Sequence, residues 1–255
     1  MNDRELEKYR GCEGLPTDWR KWKQAIPYRP GDIDYELPAV RMIRLTPETA
    51  EYLYSEYSPT ESHYETGTRP ELERQVKLAT GRAKSEREKV LSLLEWSCRK
   101  IVWPRGVRRE DWEFGGTEED LLARGVGSCE AGSRVLATMC QVAGVAARLT
   151  FHWSNRGGHA CAEAYVEGKW TLLDSDINFS GLSLSGYHVS CWDLVRDERT
   201  REAFDRAVTP QMLSVIGGGP DAKYSDFFQS MGICNYPVEA FPYNVRVATS
   251  RGIYV

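Results

Sequence analysis

The hydrophobic pattern between residues 125 and 176 first predicts one helix. From Cys129 onward, apolar residues recur at the three- and four-residue spacing of a helix with one buried face. Ser128 precedes this run and is a favourable N-cap residue, and Gly144 follows it as a residue that commonly ends helices. We therefore expect a helix that carries Cys129 in its first turn.

Three β-rich segments follow this helix, and residues typical of turns separate them. The segments are Ala147–Trp153, Ala160–Val166 and Lys169–Leu173. The link between the last two is Glu167-Gly168, a two-residue sequence typical of a tight hairpin. The pattern predicts an antiparallel meander, in which the start of one strand lies beside the end of its neighbour.

Weaker patterns predict the elements around this meander. They are a short strand at Val40–Leu45, a helix from Arg82 to about Trp103, a capped helix from Thr117 through Arg124, a mixed-charge helix at Trp192–Val208 and a tail strand at Tyr243–Val247. The segment that contains Pro16, Pro27, Pro30 and Pro38 is predicted to be irregular, and Thr46-Pro47-Glu48 is predicted to begin a helix that runs to about Tyr57.

Composition and charge exclude several classes of protein. The 255 residues are 41% hydrophobic, which is enough for a substantial core. The net charge of −4 arises from dispersed charges and argues against binding to nucleic acid or to an anionic membrane surface. No stretch has the length and apolarity of a membrane span, and the first residues lack the apolar segment of a signal peptide. Seven cysteines at irregular spacing suggest reduced thiols, so we expect a cytoplasmic protein.

Three residues with complementary chemistry are brought together by the predicted meander. Cys129 lies at a helix N-terminus, where the helix dipole and the unpaired N–H groups favour negative charge. His159 opens one strand and Asp174 ends the next, which makes them neighbours. A carboxylate that accepts one ring N–H of a histidine sets its tautomer, so the pattern predicts a cysteine acyl-transfer site.

Other interpretations of these residues remain open at this point. Strand pairing across Glu167-Gly168 favours Asp176 as the partner of His159 about as well as Asp174. An isolated cysteine on a helix is most often a core residue. A zinc site is not predicted, because the chain has no CxxC pair and no third and fourth ligands lie at finger-like spacing.

The order of these motifs resembles the transglutaminase-like superfamily. The similar stretches are GVGSC, GVAARL and GGHACAEAYVEGKWTLLD. The resemblance implies an α+β, papain-like core in which the nucleophile helix packs on an antiparallel sheet. It also implies that Cys129 is the nucleophile, His159 the general base and acid, and Asp174 the orienting carboxylate. In this family an upstream tryptophan often completes the oxyanion hole, and Trp103 and Trp112 are the candidates.

The extent of the resemblance and the sequence patterns on either side of it suggest how the chain is divided. Residues 82–190 are expected to form the transglutaminase-like catalytic core. Residues 1–81 are expected to be an N-terminal extension of irregular segments, a short strand and a helix. Residues 191–255 are expected to complete the same domain with a helix and a strand.

The implied function is that of a thiol enzyme that cleaves an amide bond through a thioester. We expect hydrolysis of a peptide, protein or small amide, without a cofactor or metal. The alternatives are acyl transfer to an amine, as in a transglutaminase or amide synthase, a peptide N-glycanase, an arylamine acetyltransferase, and a binding module that retains the triad without turnover. The sequence predicts no oligomeric state.

Overall fold

An antiparallel sheet with helices on both faces makes up the fold. The structure is a computed structural model that describes residues 42–45, 47, 50, 54, 60, 62, 64–102, 117–154, 157–183 and 188–234. The α+β class predicted from the sequence is confirmed. Within the described residues, no helix is long and apolar enough to cross a lipid bilayer.

The described elements are helices and the strands of one sheet. In chain order they are β1 (Met42–Arg44), α1 (Pro70–Thr80), α2 (Glu86–Lys100), α3 (Glu118–Arg124), α4 (Cys129–Val142), β2 (Ala147–Ser154), β3 (Gly157–Val166), β4 (Lys169–Asp174), β5 (Phe179–Ser180), α5 (Cys191–Arg196), α6 (Glu198–Ala207), α7 (Pro210–Val215), a 3₁₀ helix (Tyr224–Phe227) and β6 (Ser230–Cys234). Across the sheet the order is β1-β6-β2-β3-β4-β5, and every pair is antiparallel.

The predicted meander is β2-β3-β4, and its second turn sets the register. Glu167 and Gly168 both have positive φ, 52° and 84°, as a two-residue hairpin with the favoured twist requires. The paired residues run from Val166 with Lys169 to Ala162 with Leu173. This register carries the start of β3 toward the end of β4.

Helix α4 packs against one face of the sheet and is enclosed on all sides. Every residue from Ala131 to Gln141 is buried. The small side chains of Ala160, Ala162 and Ala164 line the facing surface of β3, which lets the helix approach the strand closely. Helices α1, α2 and α3 cover the other sides of α4.

A buried ion pair ties α4 to α3. The Arg134 guanidinium lies 3.2 Å from Glu118 Oε1, and both side chains are inaccessible to solvent. Arg69 reaches the second carboxylate oxygen of Glu118 at 2.7 Å. Removing one member of a buried pair leaves an uncompensated charge, so this contact fixes the position of α4 relative to its neighbours.

The opposite face of the sheet has its own hydrophobic core. The helices from α5 onward cover that face, and their aromatic residues pack on side chains from β3, β4 and β6. Phe204 contacts the ring of Tyr224 as a stacked pair, with centroids 6.2 Å apart. Tyr224 in turn packs against Phe228, at 4.8 Å between centroids. The site described below lies beside this aromatic cluster.

Several elements differ from their predictions. The helix predicted from Arg82 begins at Glu86, where Ser85 caps it, and ends at Lys100. Its buried residues include Leu93, whereas Leu91, whose spacing in the sequence predicts a place on the buried face, is 36% exposed. Helix α1 was not predicted.

The helix predicted at Trp192–Val208 is two helices. The backbone of Asp197 is extended, with φ −111° and ψ 114°, and its carboxylate accepts hydrogen bonds from the N–H groups of Arg199 and Thr200. This side-chain cap begins α6, so Asp197 interrupts the mixed-charge helix that the sequence predicts.

The sheet also contains strands outside the predicted meander, among them β1 and β6. The strand predicted at Val40–Leu45 is β1, and it pairs with β6, which was not predicted. The predicted tail strand at Tyr243–Val247 lies outside the described residues. The division of the chain at residues 81 and 190 stays a prediction.

Replacing a core leucine of α4 should destabilise the protein strongly. Leu136 is fully buried, so Leu136→Ala should lower the free energy of unfolding by roughly 2–5 kcal/mol, measured by urea denaturation. Leu78→Ala is the matched control, because Leu78 is 66% exposed and its loss should change stability by no more than about 0.5 kcal/mol. Equal losses in the two variants would contradict the described packing of α4.

Candidate active site

Cys129 is the first residue of α4, and the chain before it is held close to the helix. The N–H of Gly127 donates to the carbonyl of Val102 at 3.2 Å. A Cβ atom on Gly127 would lie 2.5 Å from Cβ of Ala131, closer than two such carbons can approach. Only glycine therefore permits this tight entry into the helix, which places Cys129 in the first turn.

The first turn of α4 lacks the side-chain cap that most of the other helices have. Ser128 occupies the predicted N-cap position, but its hydroxyl makes no capping hydrogen bond, contrary to the sequence-based expectation. The residues whose side chains do cap a helix are Ser85, Thr117, Ser190, Asp197 and Thr209. Ser128 therefore does not compete with a substrate oxygen for the N–H groups beside Cys129.

His159 is hydrogen-bonded to the carboxylate predicted for it. Nε2 of His159 lies 2.8 Å from Oδ2 of Asp174, and both side chains are buried. Since Nε2–H donates to the carboxylate, Nδ1 is the ring nitrogen that remains to act on a thiol. A ring nitrogen of His159, Sγ of Cys129 and a carboxylate oxygen of Asp176 all lie within 4.8 Å of one another.

Two further groups hold the Asp174 carboxylate in place. The hydroxyl of Tyr224 donates to Oδ2 at 2.8 Å, and the backbone N–H of Asp176 donates to Oδ1 at 3.1 Å. Tyr224 lies fifty residues beyond Asp174, in the 3₁₀ helix, and no spacing or motif in the sequence connects the two. It is a positioning residue that only the fold identifies.

The electrostatic surroundings favour a protonated His159. Burial by itself lowers the pKa of His159, but negative charge at Cys161 and Asp174 and the hydrogen bonds to Asp174 and Cys129 raise it, and the net pKa is well above 6.5. Burial also raises the pKa of Cys161 to about 12, so at neutral pH this thiol is uncharged. The charge that supports an imidazolium is therefore mainly that of Asp174.

A second histidine next to this pair stays neutral. His152 on β2 is directly opposite His159 in the strand register and is fully buried. Burial and the neighbouring His159 hold its pKa well below 6.5. Its Nε2 lies 2.9 Å from the hydroxyl of Thr150. His152 therefore contributes shape and packing to the site without adding a competing positive charge.

The end of the β3–β4 ladder explains why two carboxylates reach the site. Pairing stops at Ala162 with Leu173, and continuing that register would place His159 opposite Asp176. Beyond this point no ladder pairs are formed, and His159 reaches diagonally to Asp174. Asp176, the alternative partner from the sequence, comes to lie beside Cys129 instead.

Asp176 is a partly buried carboxylate with an unsatisfied oxygen. Its Oδ2 atom is buried and has no hydrogen-bond partner. Burial, and next the charge of Asp174, raise the pKa of Asp176 to about 7, although His159 acts in the opposite direction. An ionised carboxylate at this position is therefore unfavourable for the fold.

A glycine in α4 allows the loop that carries Asp176 to approach the helix. A Cβ atom on Gly132 would lie 2.7 Å from Oγ of Ser175 and 3.6 Å from Oδ1 of Asp176. The first distance is shorter than a side chain at this position can tolerate without displacing the loop. Gly132 therefore leaves room for the Ser175 side chain beside α4.

The other described thiols have raised pKa values, and for Cys98 the effect of burial is increased by the charges of Asp176 and Asp174. Burial raises the pKa of Cys98 and Cys191, and it raises the pKa of Cys140 to about 12. His188 lies near the Glu167-Gly168 turn, 3.0 Å from a carboxylate oxygen of Glu167. The oxyanion candidates, Trp103 and Trp112, are outside the described residues, and their role stays a prediction.

We expect Cys129 to be the most reactive of the seven thiols. It is half-buried beside His159, whereas Cys98, Cys140, Cys161 and Cys191 have raised pKa values. Titration with iodoacetamide at pH 6.5, followed by peptide mapping, measures the order of modification. Cys129→Ala is the control that assigns the fast-reacting thiol. Faster modification of Cys98, Cys140 or Cys161 in the unaltered protein would disprove this assignment.

The raised pKa of the Asp176 carboxyl group should make the stability of the protein depend on pH. Because the pKa of Asp176 is about 7 in the folded protein and about 3.9 in an unfolded chain, the folded state retains a proton that the unfolded state releases. Stability is therefore lost as pH rises from about 4 to about 7. Asp176→Asn removes this loss, so its advantage in unfolding free energy should grow over that range by on the order of 1–3 kcal/mol.

This pH dependence is measured by urea denaturation at pH 5 and pH 7.5, with EDTA present to exclude bound metal. Asp221→Asn is the matched control, since Asp221 lies at an exposed position in a turn. The expected result is a pH-dependent gain in Asp176→Asn alone. A constant difference between Asp176→Asn and the unaltered protein at both pH values would contradict the described surroundings of Asp176.

Comparisons with solved structures and with family models found proteins similar to parts of this chain. Among solved structures, similar chains include a proposed cysteine protease from Cytophaga hutchinsonii, at 18% identity over 52% of this chain and 43% of that one, with a TM-score of 0.38. A second is described as a TGase, at 17% identity over 42% and 30%, with a TM-score of 0.35. A third is a proposed protease from Parabacteroides distasonis, at 15% identity over 42% and 23%, with a TM-score of 0.33.

The chain spans less than half the length of each of these solved chains. A comparison with curated proteins found no match. The model of the transglutaminase-like superfamily matches residues 73–175, a range that contains Cys129, His159 and Asp174. The resemblance predicted from the sequence is confirmed, and residues 73–175 form a transglutaminase-like domain.

Proposed function

We propose that this protein is a thiol enzyme that hydrolyses an amide bond of a peptide, protein or small molecule through a thioester on Cys129. The observation that carries the proposal is the contact series from Cys129 to His159 to Asp174, in which His159 Nε2 lies 2.8 Å from the buried carboxylate and Sγ lies within 4.8 Å of the imidazole. The transglutaminase-like match over residues 73–175 supports the same assignment.

The first step is attack on the carbonyl carbon of the substrate. The Cys129 thiol gives its proton to Nδ1 of His159, and the sulfur forms a bond to the carbonyl carbon. The carbonyl π electrons move to oxygen and form an oxyanion. His159 is held as the imidazolium by the charge of Asp174, as its raised pKa indicates.

The oxyanion requires hydrogen-bond donors that are already oriented. The N–H groups of the first turn of α4 lie next to Cys129 and receive no cap from Ser128. Donors of this kind stabilise the negative charge of a tetrahedral intermediate, and the positive end of the helix dipole adds to the effect. We assign one half of the oxyanion hole to these groups.

Collapse of the tetrahedral intermediate releases the amine. The carbonyl double bond re-forms, the carbon–nitrogen bond breaks, and the imidazolium of His159 donates its proton to the departing nitrogen. The acyl group remains as a thioester on Cys129. His159 is now neutral and able to act as a base in the second half of the reaction.

Hydrolysis of the thioester returns the enzyme to its starting state. His159 takes a proton from water, the resulting oxygen nucleophile attacks the acyl carbon, and the sulfur leaves and recovers its proton. An amine in place of water would give acyl transfer by the same residues. The acceptor, and not the triad, distinguishes the two reactions.

A direct test traps the acyl-enzyme and identifies its acceptor. The protein is incubated with a panel of N-acyl amino-acid 4-nitroanilides, with and without hydroxylamine, and intact mass spectrometry follows the adduct. The proposal requires an acyl adduct on Cys129 and release of the free acid. Without hydroxylamine, the acyl group must be released as the free acid. The proposal would be refuted if no substrate of the panel gave an adduct on Cys129, or if labelling persisted in Cys129→Ala.

Asp174→Asn should lower kcat/KM by at least about a hundredfold, because an asparagine no longer stabilises the imidazolium or fixes the reactive tautomer. Asp176→Asn should lower it by much less, since its carboxylate is not the hydrogen-bond acceptor of His159. Initial rates on the best 4-nitroanilide give both values, with Asp221→Asn as the surface control. If the two effects are reversed, the orienting role belongs to Asp176.

A further inference from the structure

We propose that Cys129, His159 and Asp176 together form a binding site for a thiophilic divalent cation such as Zn²⁺, and that the bound ion reversibly blocks the thiol. The site needs no turnover of an amide, so it goes beyond the proposed function and can be tested separately from it. It differs from a zinc finger because its ligands come from three separate elements: the start of α4, the start of β3 and the loop after β4.

The three ligand atoms are close to the arrangement that zinc requires. Sγ of Cys129, a ring nitrogen of His159 and a carboxylate oxygen of Asp176 lie within 4.8 Å of one another. Typical zinc–ligand bonds of about 2.0–2.3 Å at tetrahedral angles separate the ligand atoms by about 3.5 Å. Three protein ligands leave the fourth position to water.

His159 is already oriented as a metal ligand. Its Nε2–H donates to Asp174 at 2.8 Å, so Nδ1 on the other side of the ring is the atom that binds an ion once it has given up its proton. Histidines that bind zinc commonly donate their second N–H to a carboxylate, which fixes the ring and raises its basicity. The Tyr224 hydroxyl and the N–H of Asp176 hold that carboxylate in turn.

Asp176 supplies the ligand that a simple Cys–His pair lacks. Its Oδ2 atom is buried, has no hydrogen-bond partner, and belongs to the carboxylate that approaches Cys129 and His159. A buried carboxylate oxygen that has no donor and lies near a second carboxylate is costly, and a bound cation compensates it. A thiolate, a neutral imidazole and a carboxylate together carry two negative charges, which match a divalent ion.

A second group of possible ligands in the same region is less suitable. His159, Cys161 and Asp174 also have ligand atoms within 4.8 Å of one another, but all three residues are buried. Asp174 already accepts hydrogen bonds from His159, Tyr224 and the backbone of Asp176. A metal ion would have to replace these hydrogen bonds, and the buried ligand atoms are not accessible to it from solvent. Cys129 and Asp176 are only partly buried, so their site is accessible.

Metal binding at this site would prevent the attack step. The Cys129 thiol and the His159 imidazolium each release one proton to solvent, and the resulting thiolate and Nδ1 both direct a lone pair to the ion. Neither lone pair is then available for a substrate carbonyl or for a thiol reagent. Removal of the ion by a chelator restores both groups, so the block is reversible.

Cobalt(II) provides a readout that does not depend on any substrate. Co²⁺ alone is titrated into the full-length protein, and the absorption spectrum is recorded. We expect tetrahedral d–d bands together with a thiolate-to-cobalt charge-transfer band, and we expect Cys129→Ala to abolish the latter. Displacement of Co²⁺ by Zn²⁺ then gives the Zn²⁺ affinity. A charge-transfer band that is absent, or that persists in Cys129→Ala, would overturn the proposal.

The specific contribution of Asp176 is tested with matched variants. Asp176→Asn should weaken Zn²⁺ binding by at least about tenfold, as loss of a charged ligand requires, whereas exposed Asp221→Asn should not change it. Zn²⁺ should also protect Cys129 from iodoacetamide in the unaltered protein, and EDTA should reverse the protection. Equal Zn²⁺ affinity of Asp176→Asn and the unaltered protein would overturn the proposal.

Discussion

The buried hydrogen bond between His159 and Asp174 is the contact on which the arrangement of the site depends. It joins adjacent strands at 2.8 Å, just beyond the last paired residues of their ladder. The two-residue turn at the other end of the hairpin sets that register, and Tyr224 anchors the carboxylate from the opposite core. A change in register by one residue would move either side chain to the other face of the sheet and break the contact. The geometry of the His159–Asp174 pair is therefore a consequence of a local turn and a distant aromatic residue together.

The two cores of the protein supply different parts of the same site. The core around α4 positions Cys129, because a helix buried along eleven consecutive residues has little freedom to shift or rotate. The core on the other face positions the acceptor of the histidine, through the 3₁₀ helix that follows α7. The site lies where the β3–β4 ladder ends and the strands no longer pair, so side chains from both cores meet there. Such a junction lets a rigid scaffold present groups from four elements to one small volume.

Sequence patterns predict the local parts of this arrangement and miss the long-range ones. The hydrophobic periods place α4 and the three strands of the meander within a few residues of their observed bounds, and the Glu167-Gly168 turn predicts their pairing. They do not predict α1, the break at Asp197 or the pairing of β6, because each depends on tertiary packing or on one side chain that caps a helix. Tyr224 is missed for the same reason. The choice between the two aspartates was open in the sequence because the ladder ends at that point.

The site retains polar groups that a fold selected only for stability would satisfy. Ser128 does not cap the helix that begins at Cys129, and a buried oxygen of Asp176 has no donor. Several other helices of the described residues begin with a side-chain cap, so the chain has the means to satisfy such groups. Both departures fall within the same small volume as the thiol and the imidazole. N–H groups without a side-chain cap can donate hydrogen bonds to a developing oxyanion, and a carboxylate oxygen without a donor can bind a cation, whereas satisfied groups can do neither. Polar groups that the fold leaves without partners at this position are thus available to bind a charged group.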